Sequence, residues 1–412
     1  MRLRFLDYSF FLMSRRQRPL DFALVAELKG EADLEALSAG ARRAFEAYPV
    51  SQCRIHGRDW ADDEGTWAIA VIDTTEAELR ATLEGLVMQP FALEHERGLR
   101  QYLVRTDERQ LLVTHMHHAV GDGISLTLWL RAQITGLAEA EPLELKGHDA
   151  PRTKSDHAFD KPCHGFAHRG DGPLSPHRRW IDMRFPTVQA RWGRLGFSHN
   201  DLLCAVLFKS LREWDADLPD ASRRRRGLWI PINIRRNPRA GFGNGSSRIR
   251  VFDQAGDQPS FAELARDVRA HLRWAIKHGV WNIPERAERL VGYPRWLAKA
   301  LLWLYAHRPG VDYGTLSFSH VELPSHDPLL FDHFSSMTSI APLFGRQSLS
   351  VTGVGLKGET HLTLTWDASS ISDDEAERFA GLIRKNRELA YRSLEEDVPA
   401  QLTKESVVGA KA

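Results

Sequence analysis

In the run QLLVTHMHHAVGDG, residues 110 to 123, two adjacent histidines, His117 and His118, precede Asp122 and Gly123. An imidazole titrates near neutrality, which makes it the usual group for taking a proton from a hydroxyl or amine as that group attacks a carbonyl. The apolar run before the pair reads as a strand, and a strand sends successive side chains to opposite faces. His118 therefore shares a face with Leu112, Thr114 and Met116, while His117 shares the other with Leu111, Val113 and His115. Only one of the two can point into a given cleft. The glycines let the backbone turn sharply and approach a ligand. Two further readings suit the same residues: packed strand-end histidines beside a turn-forming Asp-Gly, and a metal site. Neighbours on opposite strand faces make a poor chelate.

The elements that must position these residues follow from periodicity. Strand-like YLVRT at 102–106 and QLLVTHM at 110–116 flank the polar turn Asp107-Glu108-Arg109 and predict a hairpin. A helical pattern follows from Ile124 to Ile134. Upstream come a strand at 22–28, a helix from Asp33 to Phe45 with Asp33 as its cap, a strand at 67–73 and a helix at 75–87. Downstream, 198–214 predicts a helix capped by Ser198 or Asn200, followed by strands at 228–234, 315–321, 348–356 and 361–367. Ser372 with Glu375 forms a capping box for a last helix reaching Leu394. This alternation predicts an α/β chain.

Organisation along the chain divides it into an N-terminal half at 1–145, an interdomain linker at 146–178, a C-terminal half at 179–400 and a tail at 401–412. The linker region has five histidines (148, 157, 164, 168 and 177) with Cys163, whose spacings match no tetrahedral template, so an exposed polar loop is expected and no metal. The 55 Lys and Arg balance 54 Asp and Glu, which provides no bulk drive toward nucleic acid. The run Arg223 to Arg226 reads as a solvated loop. Three cysteines without a CxxC spacing suggest neither a disulfide framework nor a thiolate metal site and fit a reducing, cytoplasmic setting. The N-terminal apolar stretch is interrupted by Asp7 and reads as part of the fold, and nowhere do about 18 apolar residues run unbroken, as a bilayer span requires.

The heptad HHAVGDG resembles the HHxxxDG signature of the CoA-dependent acyltransferase superfamily, which includes condensation domains, BAHD acyltransferases and wax ester synthase/diacylglycerol acyltransferases. Its surroundings are similar too: QPFALEHERGLR before the hairpin, SHNDLL at 198–203, PINIR at 231–235, GFGN at 241–244, and the closing block from Ser350 to Phe379. The BAHD Asp-Phe-Gly-Trp-Gly hallmark is absent, and Ser319-His320-Val321 stands where wax ester synthases usually show Ser-Asn-Val.

The resemblance implies two chloramphenicol-acetyltransferase-like halves in a V, with a channel between them and His118 near its middle. It implies acyl transfer from a CoA or acyl carrier protein thioester to a hydroxyl or amine, with no tightly bound cofactor. His118 would be the base, His117 a packing or orienting group, Asp122 a structural acid, Gly123 the turn glycine and Arg54 the partner of Asp122. Asn200, Asp201, Ser319 and His320 would line the channel. A non-catalytic, carrier-protein-binding or gatekeeping member of the same fold is the alternative. The Trp-rich stretch at 286–310 suits core packing first, and otherwise an acyl-chain wall or peripheral membrane contact.

Overall fold

Strands rich in apolar residues pair into two sheets, each covered by amphipathic helices. The computed structural model describes residues 1–15, 18–63, 65–138, 141–146, 163–170, 172–175, 178–187, 195–237, 240–253, 258–280, 288–306, 315–322, 332–344, 347–356 and 358–397. Helix α1 (Phe5–Met13) opens the chain, so the N-terminal apolar stretch belongs to the fold. The first sheet has β6 (Gln110–His117) at its centre, antiparallel to β1 (Asp21–Leu28) on one side and to β5 (Leu99–Arg105) on the other, with β4 (Ala70–Asp73) at the edge beyond β5. Helices α2 (Leu34–Ala47), α3 (Leu79–Val87) and α4 (Gly123–Thr135) accompany it, together with the small hairpin of β2 (Cys53–His56) and β3 (Asp59–Asp62). Asp33 caps α2, accepting the Ala36 N–H at 2.9 Å.

The second sheet runs β7 (Arg178–Pro186), β13 (Glu359–Asp367), β12 (Leu349–Leu356), β10 (Leu316–Glu322), β8 (Gly227–Asn233) and β9 (Ser246–Phe252). Against it lie α5 (His199–Asp215), α6 (Phe261–Lys277) and α8 (Asp373–Asp397). The capping box expected at Ser372 forms, with the Ser372 N–H donating to Glu375 at 3.1 Å and the Glu375 N–H donating to the serine hydroxyl at 3.2 Å. Helix α7 (Arg295–Ala306) packs on α1 instead. Mixed α/β halves of this kind are what the sequence leads one to expect.

Three local expectations change. The strand at 67–73 shortens to Ala70–Asp73 and the helix after it starts at Leu79, since residues 76–78 form a turn in which the Glu78 N–H donates to the Thr75 carbonyl at 3.1 Å and hydroxyl at 3.3 Å. Strand β7 carries polar residues at alternate positions and escaped the apolar pattern. Residues 163–170, read as an exposed loop, bury Cys163 and Phe166, the latter stacked on Trp214 at 5.1 Å. His148 and His157 lie outside the described residues, as do His177 and the tail. A further pairing was not legible: β11 (Phe334–Ile340), far along the chain, completes the first sheet beside β1. Among the described residues no helix is long and apolar enough to cross a membrane.

Candidate active site at the junction of the halves

His118 follows the last residue of β6, and its backbone N–H donates to the Leu20 carbonyl at 2.8 Å. Its ring is held in an aromatic slot. Phe10 of α1 stacks on it at 4.3 Å and 27°, Phe22 of β1 lies at 5.1 Å and Phe344 at 5.6 Å. The slot is built by three segments distant in sequence, which fixes the ring plane without offering it a polar partner.

That partner comes from Asn244. Its Nδ2 donates to Asp7 Oδ1 at 2.9 Å, to the His118 carbonyl at 2.8 Å and to the Ala119 carbonyl at 3.2 Å. All three are acceptors, so the amide can be placed only one way round, with Oδ1 toward His118 Nδ1 at 3.2 Å. An amide oxygen only accepts, so Nδ1 carries the hydrogen and, in the neutral ring, Nε2 keeps a free lone pair. Burial lowers the His118 pKa below the ordinary imidazole value; the Asp122 charge and the Asn244 hydrogen bond oppose this in part, and Arg248 adds to it. The ring is therefore neutral at pH 7, and the acid that interrupts the N-terminal apolar run is the one that orients Asn244.

His117 takes the opposite face, as alternation requires, sharing Phe91 with His115 at ring distances of 6.1 and 4.8 Å. Its Nδ1 accepts the Ala119 N–H at 3.0 Å, and burial lowers its pKa to about 3. It is a neutral packing group that pins the turn after the strand.

Asp122 has two tasks. As the cap of α4 it accepts the Ser125 N–H at 3.0 Å. It also meets Arg235 in a bidentate pair, Nη2 to Oδ1 at 2.7 Å and Nη1 to Oδ2 at 2.9 Å, with Arg235 fully buried. Arg235 donates onward to the carbonyls of Gly241 at 3.0 Å and Gly243 at 2.7 Å, and the Gly245 N–H donates to Asp122 Oδ2 at 3.0 Å. A Cβ on Gly245 would stand 2.5 Å from the guanidinium carbon, so only glycine leaves room for it. Burial pushes the Asp122 carboxyl up, but the Arg235 charge and these hydrogen bonds outweigh it and hold it below the ordinary carboxylate range. The expected Arg54 partner is thereby corrected. Arg54 sits on β2 opposite Ala61, while Arg235 follows β8 in the second half.

Gly123 is the first residue of α4 and is not among the glycines with positive φ. The tight position is Gly121, where a Cβ would meet that of Ser125 at 2.7 Å. The four residues expected along a channel are not assembled at His118. Asp201 Oδ2 is taken by the cap of α5, accepting the Ser198 N–H and hydroxyl at 2.7 Å each, so a channel role for it gives way to capping. Asn200 is exposed at the same helix start. Ser319 and His320 lie half-buried on β10, where His320 faces the His199 ring at 5.6 Å. Among the described residues none of the four makes a hydrogen bond or ring contact with His118. Arg235 and Asn244 were within reach of sequence reading, since PINIR and GFGN stood out as segments, but nothing in their spacing tied them to His118.

Among the described residues no three His, Cys, Asp or Glu side chains are grouped as metal ligands. No protein-family model matches the sequence, and no curated protein does. Solved structures do match. The starter condensation domain of rhizomide synthetase RzmA, in a doubly substituted form with C8-CoA and Leu-SNAC, matches with TM-score 0.65 and 12% identity over 95% of this chain and 94% of that one. The condensation domain of the Monacolin K polyketide synthase MokA gives 0.66 and 10% over 95% and 97%, and the X-domain from teicoplanin biosynthesis 0.61 and 15% over 95% of each. Likeness at such low identity is likeness of fold, and it agrees with the resemblance carried by HHAVGDG: the chain has the condensation-domain fold.

Proposed function

We propose that the protein transfers an acyl group, of medium or long chain, from a CoA or carrier-protein thioester to a hydroxyl or amine. His118 Nε2 takes the acceptor's proton as the acceptor oxygen or nitrogen bonds to the thioester carbon. When the tetrahedral intermediate collapses, the C–S bond breaks and the same Nε2–H returns the proton to the departing thiolate. The observation that carries this reading is the Asn244 contact, which commits the Nδ1 hydrogen and so supports a base role for Nε2 by keeping its lone pair free. His117, Asp122 and Arg235 build the turn and touch no substrate. The RzmA domain crystallised with C8-CoA and Leu-SNAC supports an acyl thioester of more than acetyl length as a substrate. The co-substrate is the acyl thioester, and no bound cofactor enters the scheme. Buried free thiols at Cys53, Cys163 and Cys204 suit a reducing, cytoplasmic setting.

A binding module of the same fold is the second reading, favoured by the X-domain, which was also solved in complex with OxyB. His118→Ala separates the two. Transfer from acetyl, octanoyl and palmitoyl thioesters to alcohol and amine acceptors should fall at least about a hundredfold in a folded variant. Equal low rates in wild type and variant would favour the binding module. A preference for acetyl would defeat the long-chain part and leave His118 in place, since each buried methylene is worth roughly 0.8 kcal/mol only if the channel accepts it.

A further inference from the structure

Helix α7 turns outward much of what a core helix would hide. Ala298 and Leu302 are buried in the first core, yet Trp296 is 72% exposed, Leu304 58% and Trp303 48%. Tyr293, just before the helix, is exposed as well. Core packing, the first expectation for this stretch, thus accounts for one narrow face only. The helix carries Arg295 and Lys299 and no acidic residue. Around it, Arg58 donates to the Tyr293 carbonyl at 2.9 Å, Arg289 is exposed, Arg295 pairs with Glu94 at 2.7 Å, and Glu288 accepts the Phe5 N–H. The patch therefore holds more cations than acids.

We infer that this face of α7 docks peripherally on an anionic lipid surface. Indole and leucine side chains on one exposed helix face gain by entering the headgroup boundary, and flanking cations gain by meeting anionic headgroups. No described helix could span the bilayer, so the contact is one of lying on the surface. The position of the face gives it a use. Arg295 covers the Phe11 ring of α1 at 4.9 Å, and Phe10 of the same helix stacks on His118. One element separates the docking face from the base, so an apolar acceptor or acyl chain leaving the lipid would have a short path. This use rests on the proposed reaction, whereas the docking does not.

Flotation of the full chain with vesicles of phosphatidylcholine alone, or mixed with phosphatidylglycerol, tests it without any turnover. The wild type should float with the mixed vesicles, much less with phosphatidylcholine alone, and release as salt rises. Trp296→Asp combined with Leu304→Asp should weaken partition at least about tenfold while circular dichroism, melting and turnover of a soluble octanoyl thioester stay unchanged. Lys299→Ala should lose part of the preference for anionic vesicles. No binding by the wild type, or equal binding by the double variant, would overturn the inference. So would a wild-type dimer in light scattering that the double variant dissolves, which would give the face to a second copy. A protein that floats but transfers no acyl group would uphold the docking and sink the proposed reaction instead.

Discussion

At the level of single residues, the imidazole of His118 is set by two restraints of different kinds. The phenylalanine slot fixes its plane by packing, and Asn244 fixes which nitrogen is protonated. Removing the amide should let both tautomers exist and leave Nδ1 buried without an acceptor. Asn244→Ala is expected to lower kcat by about ten- to a hundredfold with little change in donor KM, since the restraint bears on the base and not on binding. A drop confined to KM would contradict this. The pH profile gives a second check. The folded His118 pKa lies below the ordinary value of about 6.5, so the imidazole stays a base until the pH falls well below that. The acid limb of kcat/KM should therefore lie below pH 6.5, and a limb above 7 would exclude His118 as the titrating base.

Among the elements, the first turn of α4 and the chain from β8 to β9 are joined through one buried ion pair. Asp122 and Arg235 satisfy each other and also the carbonyls and N–H groups of residues 241–245. A buried pair broken on one side leaves an uncompensated charge, so Asp122→Ala or Arg235→Met should cost about 3–5 kcal/mol in urea unfolding. His118→Ala should cost clearly less. Joint replacement of Asp122 and Arg235 should cost less than the sum of the single changes, because neither charge is then stranded. Additive losses would mean that the two do not couple. Gly245→Ala should destabilise comparably by forcing the guanidinium aside.

Across the whole molecule, the halves are interlocked and not merely tethered. Strand β11 comes from the C-terminal half and closes the first sheet. Arg178, at the start of β7, donates to the Asp21 carbonyl and carboxylate at 2.9 Å each, to Ala341 at 3.1 Å and to Val87 at 3.2 Å. Asp21 is fully buried, which alone would raise its pKa, but His115 and Arg178 beside it bring it down to about 2. Burial in both halves also depresses histidines: His117 and His320 to about 3, His199 and His271 to about 4. A histidine with a lowered folded pKa contributes stability that is intact above its unfolded pKa and is lost as the pH falls toward the folded value. Each can cost up to about 1.4 kcal/mol per pH unit in that window. Melting temperature and urea midpoint should therefore fall steadily from pH 7 to pH 5, and His320→Gln should flatten the decline. A midpoint constant over that range would show that these rings are not held neutral.

What the sequence determined by itself was whatever neighbours in the chain decide. The faces of His117 and His118 follow from strand alternation, the hairpin from two apolar runs about a polar turn, and the caps at Asp33, Ser198 and Ser372 from side chains that reach N–H groups three residues on. HHAVGDG carried the superfamily resemblance for the same reason, since its residues act within one turn. The tertiary structure decided what depends on partners far along the chain. Arg235 is 113 residues from Asp122, and Asn244 is 126 from His118. With many arginines available, spacing cannot say which one folding brings to the aspartate, and the resemblance points to Arg54 instead. The outer face of α7 and the place of β11 were open likewise, because an apolar pattern states that a surface wants cover and only packing states what covers it.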